Sequence, residues 1–163
     1  MTFKGHCIFS LSTIIVAKKI GFSTNISNAE WDIVIIGALL SCVLPDIDHP
    51  KSIISKHFKI FSFITCGILN HRGFTHSILS FFLYIWLLNQ VLPSELVSYR
   101  GFHDAMIIGY ASHLIADILT TTGIPLLWPY RWRFSFPILN PNTPLKETLF
   151  CLLVLIYSII GYY

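Results

Sequence analysis

The chain has 163 residues, about the length of one domain, but its composition is far from that of a soluble protein. Hydrophobic residues make up 54% of the chain and charged residues only 12%, against roughly 25% in an average globular protein. The net charge of +3 is spread without a clustered basic face, which excludes a nucleic-acid-binding module. The high aromatic content, 15%, excludes a disordered chain. A mean hydropathy of +0.68 predicts a membrane protein.

Five apolar segments follow one another without an internal repeat: residues 7–17, 31–44, 77–92, 104–122 and 147–163. Pro45 and Pro93 end the second and third segments, and Gly123 and Pro125 follow the fourth. The fourth segment would be about 28 Å long, close to the ~30 Å hydrocarbon core, whereas the second and third fall short of the ~20 residues of a usual span. The pattern predicts one all-α domain over residues 1–163, a small polytopic membrane bundle with about four to five transmembrane or re-entrant helices.

The basic residues divide unequally between the two faces that five spans would create. One face receives Lys4, Lys51, Lys56, Lys59, Arg72, Arg131, Arg133 and Lys146. The other receives Lys18, Lys19 and Arg100. By the positive-inside rule, this asymmetry predicts a cytoplasmic N-terminus and a cytoplasmic 45–76 connection.

Two carboxylates and an imidazole follow the second segment, in the sequence PDIDHP at residues 45–50. The flanking prolines favour an extended backbone, in which Asp46 and Asp48 would point the same way. Two such carboxylates beside His49 repel each other unless a cation lies between them. The alternative is a solvated turn, because Asp and Pro are common turn residues.

A second polar motif, NHRGFTHS at residues 70–77, leads into the third segment. Gly73 allows a sharp turn, and Thr75 is a candidate N-cap for a helix starting near His76. A helix N-terminus close to Arg72 would be a binding site for an anion or a phosphate. The alternative is a basic membrane flank in which His71 and His76 are incidental.

The third motif lies within the fourth apolar segment, where His113 and Asp117 are four residues apart and so share one helix face. Tyr110 and Thr121 extend the same stripe. A charge inside a membrane segment costs about 2.5–3.5 kcal/mol, so such a pair usually faces a partner or a watery cavity. The alternative is a His–Asp hydrogen bond that satisfies itself inside the bundle.

Together the motifs predict a metal centre of imidazole and carboxylate ligands at one membrane face. The candidate ligands are His6, Asp46, Asp48, His49, His71, His76, His113 and Asp117. Ligands of this type without thiolate suit Zn²⁺, which we favour, or Mn²⁺ or Fe²⁺, and their number suffices for one or two ions. His57 and His103 have no such neighbours at ligand spacing and are interpreted as bystanders.

These stretches also carry a family resemblance. The sequences LPDIDHPKS (44–52), HRGFTHS (71–77) and GYASHLIAD (109–117) resemble the YdjM-like family of LexA-regulated, membrane-bound metal-dependent hydrolases of the bacterial inner membrane. GIPLLWP (123–129), the RWR that follows at 131–133, and Gly5-His6 before the first apolar segment match as well. The resemblance covers nearly the whole chain and implies a multi-pass inner membrane protein with metal-dependent hydrolase activity.

We therefore expect a hydrolase whose site lies at the cytoplasmic face. A metal lowers the pKa of bound water towards ~7, Asp46 or Asp48 would act as general base, and Arg72 would hold an anionic phosphoester or phospholipid. The expected partner is the lipid bilayer, without nucleic acid. The alternatives are a non-enzymatic metal-binding membrane protein and a transporter with an intramembrane His/Asp path.

Residues 128–133, WPYRWR, alternate aromatic and basic side chains. Trp and Tyr favour the headgroup region of a bilayer, and Arg favours anionic phosphates. The pattern predicts an interfacial anchor, and the alternative is a contribution to binding a lipid substrate.

Overall fold

The computed structural model describes residues 1–48, 73–92 and 97–161, without the side chains of residues 47–48 and 97–99. Within these ranges the α-helices are α1 (Phe3–Lys19), α2 (Thr24–Asn28), α3 (Trp31–Ser41), α4 (Ile78–Val91), α5 (Val97–Ile118) and α6 (Pro144–Ile160). Two short 3₁₀ helices cover Leu44–Asp48 and Phe74–His76. The only extended pairing in the described ranges consists of isolated bridges, Thr120 with Leu139 and Ile124 with Phe134. The all-α prediction is therefore confirmed for the described residues.

Among the helices of the described residues, none has both the length and the apolarity that crossing a membrane requires.

A helix overlaps each of the five apolar segments, with bounds that differ from the prediction. The segment 104–122 was expected to be helical throughout, but α5 covers Val97–Ile118. The helix ends early because the Ile118 and Leu119 carbonyls accept hydrogen bonds from Phe136 N and Leu139 N, at 2.6 and 2.9 Å, instead of continuing the helical pattern. Thr121 therefore lies beyond the helix and does not extend the His113–Asp117 stripe. The short α2, which Ser23 caps, was not predicted.

The first core cluster joins α1, α2, α3 and α5. Its buried members are Ile14, Ile26, Ala29, Val34, Ala38 and Ala105. Small residues bring α3 and α5 together closely: a Cβ added to Gly109 would lie 2.3 Å from the Ala38 carbonyl oxygen. This approach fixes the end of α3 beside the middle of α5.

A second cluster joins α4 to α5. The rings of Tyr84 and Tyr110 stack with centroids 4.6 Å apart, and the hydroxyl groups of Tyr84 and Ser41 lie 2.7 Å apart. The Tyr110 hydroxyl also donates to the Thr75 carbonyl at 2.7 Å. These contacts fix the 3₁₀ helix Phe74–His76 against α5.

The backbone of residues 44–48 is a 3₁₀ helix, so the expectation of an extended stretch that aligns Asp46 with Asp48 was wrong. The reason lies in Pro45: its missing N–H costs nothing in the first turn of a helix, and its fixed φ suits that turn.

The expected helix start at Thr75 and His76 was also wrong. The N-cap of α4 is Ser77, whose hydroxyl oxygen accepts from Ser80 N at 3.1 Å. Ile78 N is occupied as well, because it donates to the Leu126 carbonyl at 2.9 Å. His76 thus lies in the preceding 3₁₀ helix, and the start of α4 is not an open anion site beside it.

Candidate metal centre

Five of the candidate side chains meet in the interior of the bundle. They come from α1 (His6), the 3₁₀ helix after α3 (Asp46), the 3₁₀ helix before α4 (His76) and one face of α5 (His113 and Asp117). Among the described residues, two overlapping groups have ligand geometry: His76, His113 and Asp117 form one, and His6, Asp46 and His113 form the other. Within each group the ligand atoms all lie within 4.8 Å of one another.

Hydrogen bonds to Nδ1 orient two of the imidazoles. His113 Nδ1 lies 2.6 Å from the Cys42 carbonyl oxygen, which can only accept, so this nitrogen carries the proton. His76 Nδ1 lies 3.0 Å from the Thr75 hydroxyl, which can accept in the same way. Both rings then present Nε2 to the site. A metal-binding histidine is usually held by this kind of bond on its second nitrogen.

The group formed by His76, His113 and Asp117 has the dimensions of a metal site. The two Nε2 atoms are 3.3 Å apart, and they lie 3.4 and 3.7 Å from Asp117 Oδ2. Tetrahedral Zn²⁺ with bonds of about 2.0–2.1 Å separates its ligand atoms by about 3.3–3.4 Å. Three protein ligands at this spacing would leave a fourth position for water or substrate.

Asp46 lies next to this group and is its most exposed neighbour. Its Oδ1 atom is 3.6 Å from His76 Nε2 and 3.8 Å from His113 Nε2. The Asp46 side chain is 21% exposed, whereas the side chains of His76 and His113 are fully buried. Asp46 is thus the member of the cluster that solvent reaches.

His6 completes the cluster from α1. Its ring stacks on that of His113, with centroids 3.8 Å apart and planes inclined by 6°. His6 Nε2 lies 3.3 Å from Asp117 Oδ1, within ion-pair distance but without the alignment of a hydrogen bond. Neither ring nitrogen of His6, nor Asp117 Oδ2, has a hydrogen-bond partner among the described residues. Buried polar atoms are rarely left so, and a cation between them would satisfy all three.

The electrostatics of the site favour a positive charge at its centre. Burial by itself lowers the pKa of His76, but the nearby Asp117 and Asp46 carboxylates outweigh burial and raise the pKa to about 9. Burial raises the pKa of Asp46, but the His76 contact and the nearby His113 and His6 rings hold it below its usual range. Two ionised carboxylates facing imidazoles suit a divalent cation.

Several predicted site residues lie outside the described part of the chain. These are His49, His71 and Arg72, together with the bystander His57. Asp48 belongs to the 3₁₀ helix Leu44–Asp48, but its side chain is not described. The other predicted bystander, His103, lies away from the centre, and its Nδ1 is 3.2 Å from Asp104 Oδ1.

Two contacts near the centre were missed in the sequence. The Met1 amino group donates to Asp117 Oδ1 at 2.7 Å. Glu147, in the first turn of α6, accepts from Thr2 N at 2.7 Å and is 1% exposed. The available signal was a single carboxylate at the start of the apolar segment 147–163. An acidic residue in the first turn of a helix is common, so this pattern alone does not mark Glu147 as part of a site.

The aromatic and basic loop lies beside the centre. Trp128 packs edge-on against Phe74 of the 3₁₀ helix that carries His76, with ring centroids 5.3 Å apart. Tyr130 and Trp132 are 71% and 75% exposed, and Arg131 is exposed between them. These side chains are therefore accessible, and the interfacial anchor stays a prediction.

The chain resembles known proteins over its whole length. The family described as "YdjM inner membrane protein" matches residues 1–163. Inner membrane protein YdjM of Escherichia coli (strain K12) is 37% identical over 160 residues, which are 98% of this chain and 82% of that protein. The protein of the same name from Shigella flexneri matches equally well.

A third relative matches a smaller part of the chain. The uncharacterized protein YvsG of Bacillus subtilis (strain 168) is 34% identical over 114 residues, 70% of this chain and 66% of that protein. No solved structure matches. The resemblance inferred from the motifs is confirmed: the chain belongs to the YdjM family of inner membrane proteins.

Proposed function

We propose that the protein is a metal-dependent hydrolase of the bacterial inner membrane, with His76, His113 and Asp117 as the core of its metal site. The carrying observation is the convergence of two oriented Nε2 atoms and one carboxylate oxygen at 3.3–3.7 Å in a buried position. The unpartnered nitrogens of His6 and the nearby Asp46 carboxylate supply further ligand atoms. Zn²⁺ fits this donor set, with Mn²⁺ or Fe²⁺ as alternatives, and the two overlapping groups accommodate one or two ions.

Some residues of the proposed site would hold the metal ligands in place, and others would act on the water that reacts. A bound divalent metal supplies Lewis-acid activation of water for hydrolysis. The Cys42 carbonyl and the Thr75 hydroxyl hold the His113 and His76 rings so that their Nε2 atoms face the site. Asp46, the partly exposed member of the cluster, is ionised at neutral pH and accepts a hydrogen bond from an incoming water. Asp48 remains a further candidate for the general base.

The proposed substrate class is an anionic ester, a phosphoester or a phospholipid. Because Ser77 caps α4 and Ile78 N is already bonded, the proposal rests on Arg72 and on the exposed Arg131 rather than on a helix N-terminus. Arginine holds phosphate oxygens through paired N–H groups. The exposed Tyr130 and Trp132 would bring the Arg131 charge between them to the headgroup level of a bilayer.

Turnover should depend on the metal and on Asp46. We expect the purified protein, loaded with Zn²⁺ or Mn²⁺, to hydrolyse at least one member of a panel of phosphomonoesters, phosphodiesters and phospholipids in mixed micelles. Asp46→Asn should lower turnover by about 10²–10⁴-fold, the usual contribution of a positioned acid–base group.

Arg72→Gln should lower turnover and leave bound metal intact, since Arg is not a ligand. A folded, metal-loaded protein that hydrolyses nothing in the panel would refute the hydrolase proposal.

A non-enzymatic metal-binding protein is the second candidate. One observation favours it: four of the five clustered side chains are buried, with exposures of 3% or less. Structural metal sites are closed in this way, whereas catalytic sites keep a position open. Stoichiometric metal without turnover in the same panel would support this candidate.

For the placement in the membrane, we propose a multi-pass arrangement in which α4 and α6 face lipid. Large apolar side chains are exposed along both helices, among them Phe82 and Trp86 on α4 and Leu153 and Ile156 on α6. Exposed apolar surface of this extent is typical of a membrane contact.

The N-terminus and the 45–76 connection are proposed to be cytoplasmic, because the basic residues favour that face. Reporter fusions made after His57 should be active as a cytoplasmic fluorescent protein and inactive as a periplasmic phosphatase. The opposite result would overturn the proposed orientation.

A further inference from the structure

Glu147 ties the first turn of α1 to α6 through a buried carboxylate. Its Oε1 atom accepts from Thr2 N at 2.7 Å and from the Thr2 hydroxyl. Thr2 is the N-cap of α1: its hydroxyl oxygen accepts from Gly5 N at 3.2 Å, and its carbonyl accepts from His6 N at 3.0 Å. A continuous series of hydrogen bonds therefore leads from Glu147 to the backbone of His6.

The fit between the carboxylate and α1 is close. A Cβ added to Gly5 would lie 2.5 Å from Glu147 Oε1, so the glycine leaves the space that the carboxylate occupies. A negative charge at this position is also favourable because it faces the positive end of the α1 dipole. The second carboxylate oxygen, Oε2, is buried and has no hydrogen-bond partner among the described residues.

His6 depends on its backbone for its position. Its two ring nitrogens make no hydrogen bond within the described ranges, so the ring is placed by stacking on His113, by the ion-pair contact with Asp117 Oδ1 and by the setting of α1. We infer that Glu147 is a positioning residue of the metal centre, which fixes the first turn of α1 and thereby holds His6 against His113 and Asp117. This inference rests on the proposed metal site, since His6 is one of its candidate ligands.

The test is a double-mutant cycle read by Zn²⁺ affinity. Glu147→Ala should weaken Zn²⁺ binding by about 10–100-fold, the usual effect of losing a group that orients a ligand. Glu147→Gln should restore most of the affinity, because its amide oxygen still accepts from Thr2 N. In a His6→Ala background, Glu147→Ala should cause no further loss. Lys146→Ala, which removes the exposed neighbouring charge, is the matched control and should bind Zn²⁺ as the wild type does.

Equal losses from Glu147→Ala with and without His6 would overturn the inference, as would no loss in either background. If Glu147→Ala does not fold, Gly5→Ala provides the same test from the other side, because its methyl group displaces the carboxylate. Gly5→Ala should then weaken Zn²⁺ binding although alanine favours helices, and unchanged binding would contradict the inference.

Failure of the proposed metal site would be seen separately, as a folded wild-type protein that binds no Zn²⁺. In that case hydrogen exchange of the Gly5 and His6 amides still decides the structural half of the inference, that Glu147 fixes the first turn of α1. Faster exchange in Glu147→Ala than in the wild type and the Lys146→Ala control supports it, and equal exchange overturns it.

Discussion

Asp117→Asn is expected to abolish stoichiometric metal binding and to destabilise the protein more than any other single change in the centre. Asp117 is the hub of the cluster: Oδ1 contacts the Met1 amino group and His6, and Oδ2 contacts His76 and His113. Removing one partner of a buried ionic group leaves the others uncompensated and costs about 3–5 kcal/mol. Metal content and chemical unfolding of the detergent-purified variant measure the two effects.

Asp104→Asn is the matched control for this prediction. Asp104 lies on the same helix and also makes partly buried contacts, since Oδ2 accepts from Ser23 at 2.7 Å and Asn25 at 3.0 Å. It is not part of the metal cluster, so its replacement should lower stability without lowering metal content. Equal metal content in Asp117→Asn and Asp104→Asn would contradict the role of Asp117.

Gly109→Ala is expected to destabilise the fold and disturb the site together. The added Cβ would lie 2.3 Å from the Ala38 carbonyl oxygen and 2.9 Å from Ala38 Cα. These are backbone atoms, so α3 must move away from α5, at a cost of about 1–3 kcal/mol. Because Cys42 follows α3 and its carbonyl holds His113 Nδ1, the same movement should weaken metal binding. Chemical unfolding and Zn²⁺ titration measure both consequences.

Alanine is preferred over glycine in a helix by roughly 0.5–1 kcal/mol, so helix propensity alone would make Gly109→Ala stabilising. A loss of stability would therefore come from the close contact with α3. Ser112→Ala, close by on α5, is the control. Among the described residues, the Ser112 hydroxyl bonds only to the Gly109 carbonyl of the same helix, at 2.7 Å, and the change adds no atoms. Ser112→Ala should lower the free energy of unfolding by no more than the contribution of one hydrogen bond, about 0.5–1.5 kcal/mol. A Gly109→Ala protein as stable as the wild type would show that α3 and α5 are not packed as described.

Local sequence patterns were sufficient to find most of the groups that the structure brings together. His113 and Asp117 are four residues apart on a helix, and this spacing alone puts them on one face. Asp46 and His76 stand out because they lie in polar stretches next to apolar segments: Asp46 comes after the second segment, and His76 precedes the third. The conclusion that these junctions meet followed from spans that place alternate connections on the same face, so that both ends of the 45–76 connection lie there.

Long-range packing decided what local patterns did not predict. The stacking of His6 on His113 depends on how α1 lies against α5, which no spacing within either segment specifies. The choice of Ser77 over Thr75 as the cap of α4 has a similar origin, because both residues can cap a helix. The bond from Ile78 N to the Leu126 carbonyl, 48 residues away in the chain, favours the later start.

The backbone of residues 44–48 was mispredicted for a different reason. Two flanking prolines favour an extended chain, but a proline in the first turn of a helix is tolerated. The 3₁₀ helix then places Asp46 beside both imidazoles, at 3.6 and 3.8 Å, without any need for Asp48 on the same side. The carboxylate that pairs with Asp46 across the site is Asp117, from a distant helix.

Metal analysis of the detergent-purified protein tests the central claim most directly. The wild type should carry close to one or two equivalents of a transition metal, with zinc as the expected element. A variant that replaces His76, His113 and Asp117 with alanine should carry almost none while remaining helical by circular dichroism. A wild type that neither retains nor takes up metal, or a triple variant that keeps the full content, would contradict the account.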